Sequence, residues 1–291
     1  MSSAAPAVDG KTVLITGASS GIGLVAAREL SGMGARVLMA CRDRARGEAA
    51  QAEVSRAGGA PTRLLLADLS SQASIRALAA EVAGSCPRLD VLVNNAGGVN
   101  GRRELTADGL EKTFATNHLG YFLLANLLLD LLKRSAPSRI INVASAADRW
   151  GGIDFADLMA ERRYSGVRQY ATSKLCNVAF TFELARRLQG SGVTAVAVHP
   201  GFVASNFGQV GGGFLGFLSW LGRPFALTPE RGADTVVWLA QVADASPYHG
   251  QYLSRRRAIR SKRQAYDVSV QRRLWEESER LTGLRSSGAA P

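Results

Sequence analysis

Short, nearly continuous apolar runs alternate with longer amphipathic stretches along this chain. Thr12–Thr16 (TVLIT) predicts a buried strand ending at Gly17, and 22–33 predicts the helix that follows it. Residues 36–40 (RVLMA), 63–67 and 91–93 (VLV) predict three further strands, with helices over 46–57 and 71–83 between them. The second half keeps the rhythm: a long helix over 106–133, a strand over 139–143, a helix over 169–188 and a strand over 193–198. A break rich in Gly and aromatics (202–224) precedes a helix over 229–242, a weak strand over 250–253 and a charged helix over 266–281. Strands about 25 residues apart suit parallel pairing through helical crossovers. Their continuous apolar character predicts cover on both faces of the sheet. With no internal repeat and no Pro/Ser-rich linker, the pattern describes one doubly wound α/β domain over 1–291. Its ligand is expected at the carboxyl ends of the strands.

Composition narrows the function classes. No run of about 18 apolar residues exists; the nearest, 123–132, is interrupted by Asn126 and Asp130. The start MSSAAPAVDG lacks the basic region and apolar core of a secretory signal. Cys41, Cys86 and Cys176 are too widely spaced for a disulfide framework or a zinc site, so a reduced cytoplasm is expected and no metal. Charge is the unusual quantity. Thirty arginines and five lysines against 24 acids leave a net +11, which raises nucleic acid, acidic lipid or a phosphorylated small molecule as partners.

Residues 16–23 read TGASSGIG, with Gly17, Gly21 and Gly23 between a strand and a helix. That is the context of a dinucleotide site: the turn needs backbone that a Cβ would obstruct, and the helix start offers free N–H groups to a pyrophosphate. The spacing, G-x3-G-x-G, resembles the cofactor motif of short-chain dehydrogenases/reductases. Other marks of that family follow in order. Asp68-Leu69 comes after the third strand and Asn94-Asn95-Ala96-Gly97 after the fourth, with Asn117 in the long helix. Ser145 closes the fifth strand, Tyr170-x-x-x-Lys174 opens the next helix, and Pro200-Gly201 follows the sixth strand. The resemblance spans roughly residues 10–285. It implies a Rossmann-type domain with about seven parallel strands and helices on both faces. It also implies a nicotinamide dinucleotide held by Gly17, Ser19, Ser20, Gly21, Ile22, Gly23, Asp68, Leu69, Asn94, Ala96, Gly97, Tyr170, Lys174, Pro200, Gly201, Val203 and Ser205.

The second strand ends without a carboxylate, and Arg42 follows it. An acid there would accept from a ribose 2′-OH, whereas a guanidinium pairs with a 2′-phosphate. NADP(H) is therefore expected over NAD(H). The plainer alternative, that Arg42, Arg44 and Arg46 open a solvated helix, suits Arg44 and Arg46. Tyr170 and Lys174 share a helix face, and an ammonium beside the phenol is expected to lower its pKa from about 10 toward neutrality. The resemblance makes Tyr170 the acid/base and ties Lys174 to the nicotinamide ribose. It gives Ser145 the substrate oxygen and Asn117 the support of a water-mediated proton relay. His118 and His199 adjoin these positions, but structural roles are expected for both.

The 25 residues from Ser145 to Tyr170 exceed the usual family spacing and mark an insertion before the catalytic helix. With ACRDRARG, HPGFVASN and TPERGA, that insertion resembles the retinol-dehydrogenase-like subgroup. Many animal members carry an N-terminal membrane anchor, which this sequence does not show, so retinoid specificity is not expected, although the catalytic pattern carries over. The Gly- and Phe-rich 208–222 is read as a lid over an apolar carbonyl or alcohol substrate. A membrane-interfacial segment and a subunit contact in a homo-oligomer are its alternatives. Residues 254–263 (SRRRAIRSKR) hold six basic residues and no acid. They are read as a solvated loop, with weak contact to anionic membrane as the functional alternative and no sequence-specific nucleic acid. The activity expected is NADP(H)-dependent interconversion of C=O and CH–OH. A catalytically idle NADP(H)-binding regulator or scaffold and a C=C reductase like protochlorophyllide reductase are the alternatives.

Overall fold

A computed structural model describes residues 7–57, 59–201 and 228–284. Its strands are β1 (Thr12–Thr16), β2 (Arg36–Cys41), β3 (Thr62–Leu66), β4 (Val91–Asn94), β5 (Ser138–Val143), β6 (Val193–Val198), β7 (Tyr252–Ser254) and β8 (Arg257–Ala258). They form one sheet in the order β3-β2-β1-β4-β5-β6-β7-β8, parallel except for the β7–β8 pair. The order reverses direction at β1/β4, the point where doubly wound sheets open a crevice for a ligand.

Alternation along β1 divides the core. Leu14 points into a cluster with Leu38, Leu92, Ile140, Phe122 and Phe180. Val13 and Ile15 point the other way, with Val37, Met39, Val93, Leu30 and Val236. The inner strands β1, β4, β5 and β6 thus bury both faces, as their apolar runs predict, whereas β3 and β8 at the sheet's edges are largely exposed. The helices supplying these layers are α1 (Gly21–Gly32), α2 (Arg44–Arg56), α3 (Gln72–Ser85), α4 (Lys112–Phe114), α5 (Gly120–Leu127), α6 (Leu129–Arg134), α7 (Gly166–Arg187), α8 (Pro229–Gln241) and α9 (Val268–Thr282). Side-chain caps start several of them. Asp43 accepts from Arg46 N at 2.8 Å, and Ser165 and Thr228 cap α7 and α8 in the same way.

Three expectations need correction. The long helix over 106–133 starts only at Lys112, because buried Glu111 accepts from the N–H groups of Thr113 (2.8 Å) and Phe114 (2.7 Å). It then widens into a π-helical turn over Ala115–Leu119 and breaks again at Leu128. Secondly, the sheet has an eighth strand, antiparallel to β7. Thirdly, the basic 254–263 is not merely a solvated loop. Arg255 and Arg256, at φ of 50° and 59°, form the hairpin turn between β7 and β8. Ser261 donates to buried Asp148, Lys262 to Gly151 O, and Gln264 pairs with both backbone groups of Ile153 at 2.9 and 2.8 Å. The segment clasps the insertion that follows Ser145. The expected lid, Val203 and Ser205 all fall outside the described residues.

Candidate active site

The carboxyl ends of β1, β4, β5 and β6 converge on one cleft. After β1 the chain turns at Gly17, whose φ is +67° and whose missing Cβ would lie 2.8 Å from Ala96 Cα. A Cβ on Gly23 would meet Gly17 O and the Asn95 amide. Ser20 stands at the N-cap of α1 in extended backbone, with no side-chain hydrogen bond to the helix. Glycines therefore keep open a backbone cradle at a helix start, which fits a pyrophosphate group.

Two residues quoted within these motifs without a role of their own, Thr16 and Asn95, tie this turn to β4. Thr16 Oγ1 accepts from Asn95 N (2.9 Å) and Ala96 N (3.0 Å), while Asn95 Nδ2 donates to Thr16 O at 2.9 Å. Asn94 behaves differently from its neighbours. Its side chain is fully buried and donates to Asn142 Oδ1 at 2.9 Å within the sheet, so only its backbone faces elsewhere. Asp68 likewise uses its carboxylate locally, accepting from Ser70 N and Oγ at 2.9 and 2.8 Å. Leu69 is buried beside Gly120. At the tip of β2, Arg42 is exposed and makes no ion pair among the described residues, whereas Arg44 pairs with Glu48 at 3.6 Å.

Deeper in the cleft, four predicted residues come together. Tyr170 is hydrogen-bonded to the Ser145 side chain. Lys174 Nζ, one turn along α7, donates to Val143 O at 2.9 Å. Gly97 lies against both sides of the group, since a Cβ there would be 3.1 Å from Asn117 Oδ1 and 3.5 Å from Lys174 Nζ. Asn117 sits in the π-helical turn, a distortion common at functional sites. Its side chain accepts from Gly98 N (2.8 Å) and donates to Gly98 O (2.9 Å) and Ser173 Oγ (3.1 Å). Its carbonyl accepts from Asn177 Nδ2 at 2.8 Å, so a relay water would need that oxygen's second lone pair. Tyr252 donates to Ser145 O at 3.2 Å. Asn177, three residues beyond Lys174 on the same helix, was legible by spacing; Tyr252 lies too far along the chain to carry a local signal.

Electrostatics corrects one expectation. Burial raises the Tyr170 pKa above 10, the Ser145 hydrogen bond lowers it only in part, and Lys174 does not reverse the direction. Burial instead brings Lys174 down to about 7. Desolvation is the leading cause for both groups.

The two histidines that adjoin motif residues, His118 and His199, make structural contacts. His118 is fully buried, with Nδ1 3.2 Å from Asn177 Oδ1 and Nε2 3.1 Å from Ser278 Oγ. His199 Nδ1 accepts from Ala146 N (3.1 Å) and Gly201 N (3.3 Å), fastening Pro200-Gly201 to the turn after Ser145. Burial lowers His118 to about 4. Because its unfolded value is about 6.5, the folded state binds fewer protons between pH 6.5 and 4. Its contribution is present above pH 6.5 and is lost as pH falls through that window, on the order of 3 kcal/mol. Urea unfolding of wild type and His118→Asn at pH 7 and 4.5 should show a smaller acid loss in the variant. An equal loss would assign it to other groups.

The family described as short chain dehydrogenase matches residues 11–210. The chain belongs to the short-chain dehydrogenase family. This short-chain dehydrogenase is 44% identical over 292 residues to retinol dehydrogenase 14 of Mus musculus, covering 94% of this chain and 86% of that protein. It is 45% identical over 279 residues to retinol dehydrogenase 12 of Homo sapiens, covering 95% and 87%. An uncharacterised protein from Mycobacterium paratuberculosis has a similar crystal structure, with a TM-score of 0.78, 35% identity and coverage of 96% and 95%. The Pseudomonas aeruginosa RhlG/NADP active-site complex aligns at a TM-score of 0.69 and 28% identity, covering 86% and 96%. The chain is thus a retinol-dehydrogenase-like oxidoreductase of a family that binds nicotinamide cofactors.

Proposed function

We propose that this oxidoreductase interconverts a carbonyl and an alcohol on an apolar substrate with NADP(H), using Tyr170 as acid/base. The convergence of Tyr170, Ser145, Lys174 and Asn117 beside Gly97 carries this reading. When bound, the nicotinamide supplies or accepts the hydride. The cradle at Gly17, Gly21 and Gly23 would hold its pyrophosphate, Arg42 the 2′-phosphate, and Lys174 the nicotinamide ribose.

In reduction, Ser145 Oγ orients the substrate oxygen and the Tyr170 hydroxyl donates the proton to it. A raised pKa suits this direction, because Tyr170 rests in the form that donates. Protonated Lys174 then stabilises the phenolate left behind. Asn117 holds Gly98 and Ser173, and Ser173 Oγ in turn donates to Tyr170 O at 2.7 Å, so the acid is fixed from its own backbone. Apolar substrate is inferred from the retinol dehydrogenases among its relatives.

A panel of apolar aldehydes, ketones and enones with NADPH and NADH tests the reading. Oxidation of NADPH by the carbonyl compounds supports it; cofactor binding without turnover would instead make the chain an idle binder. Arg42→Ala should raise KM for NADPH by about tenfold or more, the loss of a charge-assisted pair, with KM for NADH little changed. Equal effects would remove Arg42 from the 2′-phosphate.

A further inference from the structure

All five lysines lie in the described residues, and Lys174 alone is buried. Its ammonium has three donors and one hydrogen bond, to Val143 O. No acidic side chain is within ion-pair distance among the described residues. The groups around it are Tyr170 on its own helix, Asn117 from the π-helical turn and Tyr121 from α5, with Tyr252 of β7 beyond Tyr170. Such a charge should be unstable in low dielectric unless something replaces water.

Two aromatic faces do. Nζ lies 5.3 Å from the Tyr121 ring centroid and 5.8 Å from that of Tyr170, both within cation–π range. Tyr170 is bound to its own hydrogen-bonding task, but Tyr121 is not. Tyr121 is fully buried, and its hydroxyl has no hydrogen-bond partner among the described residues. An unpaired buried hydroxyl is costly, so what this position supplies is the ring face.

We propose that Tyr121 is a positioning residue whose ring holds the Lys174 ammonium charged and beside Tyr170, its hydroxyl taking no part. The significance of that role rests on the Tyr170–Lys174 chemistry above; the electrostatic relation itself does not. Since burial already places Lys174 near neutrality, modest changes in its surroundings decide whether it is charged at pH 7.

The test is an NMR titration of the intact chain carrying 13Cε-labelled lysine, in which five resonances are expected and Lys174→Arg identifies one. Replacing the ring by an aliphatic side chain, in Tyr121→Leu and in the longer Tyr121→Met, should lower the Lys174 midpoint by about one pH unit, a tenfold change. Tyr121→Phe, which keeps the face, should titrate with wild type and melt at a higher temperature. An unmoved midpoint in whichever aliphatic variant folds would overturn the proposal. So would Tyr121→Phe shifting as far as the aliphatic variants, because the hydroxyl would then be the active part. If no carbonyl compound is turned over, the proposed activity fails while this titration still decides the role of Tyr121.

Discussion

Tyr170→Phe is expected to bind NADPH as wild type does and to turn over carbonyl substrates about 10³-fold more slowly, in the range typical of a lost general acid. The substitution removes one oxygen from a site otherwise held by other contacts. Ser145 stays anchored through Tyr252 to its carbonyl and through Ala147 N to its Oγ at 3.3 Å. Lys174 keeps its bond to Val143 O, and the phenyl ring keeps its face toward Nζ. The loss should therefore fall on kcat, with KM for NADPH nearly unchanged. Stopped-flow absorbance at the reduced cofactor, paired with fluorescence titration of NADPH, separates the two. Retained turnover would remove Tyr170 from acid/base chemistry, and a matching loss of cofactor affinity would make it a binding residue instead.

Gly17→Ala is expected to damage the cradle with a single methyl group. The new side chain would stand in left-handed backbone, at a cost of about 1–2 kcal/mol, and its Cβ would press on Ala96 Cα at 2.8 Å. Ala96 cannot retreat easily, because Thr16 Oγ1 holds both it and Asn95. Overpacking of that kind adds about 1–3 kcal/mol. Together these should lower the melting temperature by roughly 5–10 °C and weaken NADPH binding at least tenfold, as read by thermal unfolding and fluorescence. Gly21→Ala is the internal control. It shares the left-handed backbone, at φ +55°, but meets no atom within 4 Å, so its smaller loss isolates the backbone contribution.

Sequence reasoning read the strands well because most are short apolar runs that end at a polar residue or a glycine. It failed where the deciding partner lies far along the chain. In the π-helical turn the carbonyl of Asn117 accepts from Asn177, 60 residues away, and no local pattern encodes that bond. β8 is two residues long and follows a turn made by Arg255-Arg256, not by the Asn or Gly that usually announce a hairpin. The basic cluster looked solvated because its charges are counted from sequence, while the clasping is done by Ser261 and Lys262 within it and by Gln264 just beyond it. The site residues themselves were legible as motifs, yet their pKa directions were not. Spacing shows that Lys174 adjoins Tyr170 but says nothing of the burial that sets both pKa directions.

The bond from His118 to Ser278 spans 160 residues. Gln72 and Arg76 similarly reach the carbonyls of Leu281 and Thr282, over 209 and 206 residues. A ribosome delivers the glycine turn early and the helix that fastens His118, beside Asn117, near the end. The glycine turn has its partners Asn95 and Ala96 by residue 96, while the turn bearing Asn117 waits on a partner at residue 278.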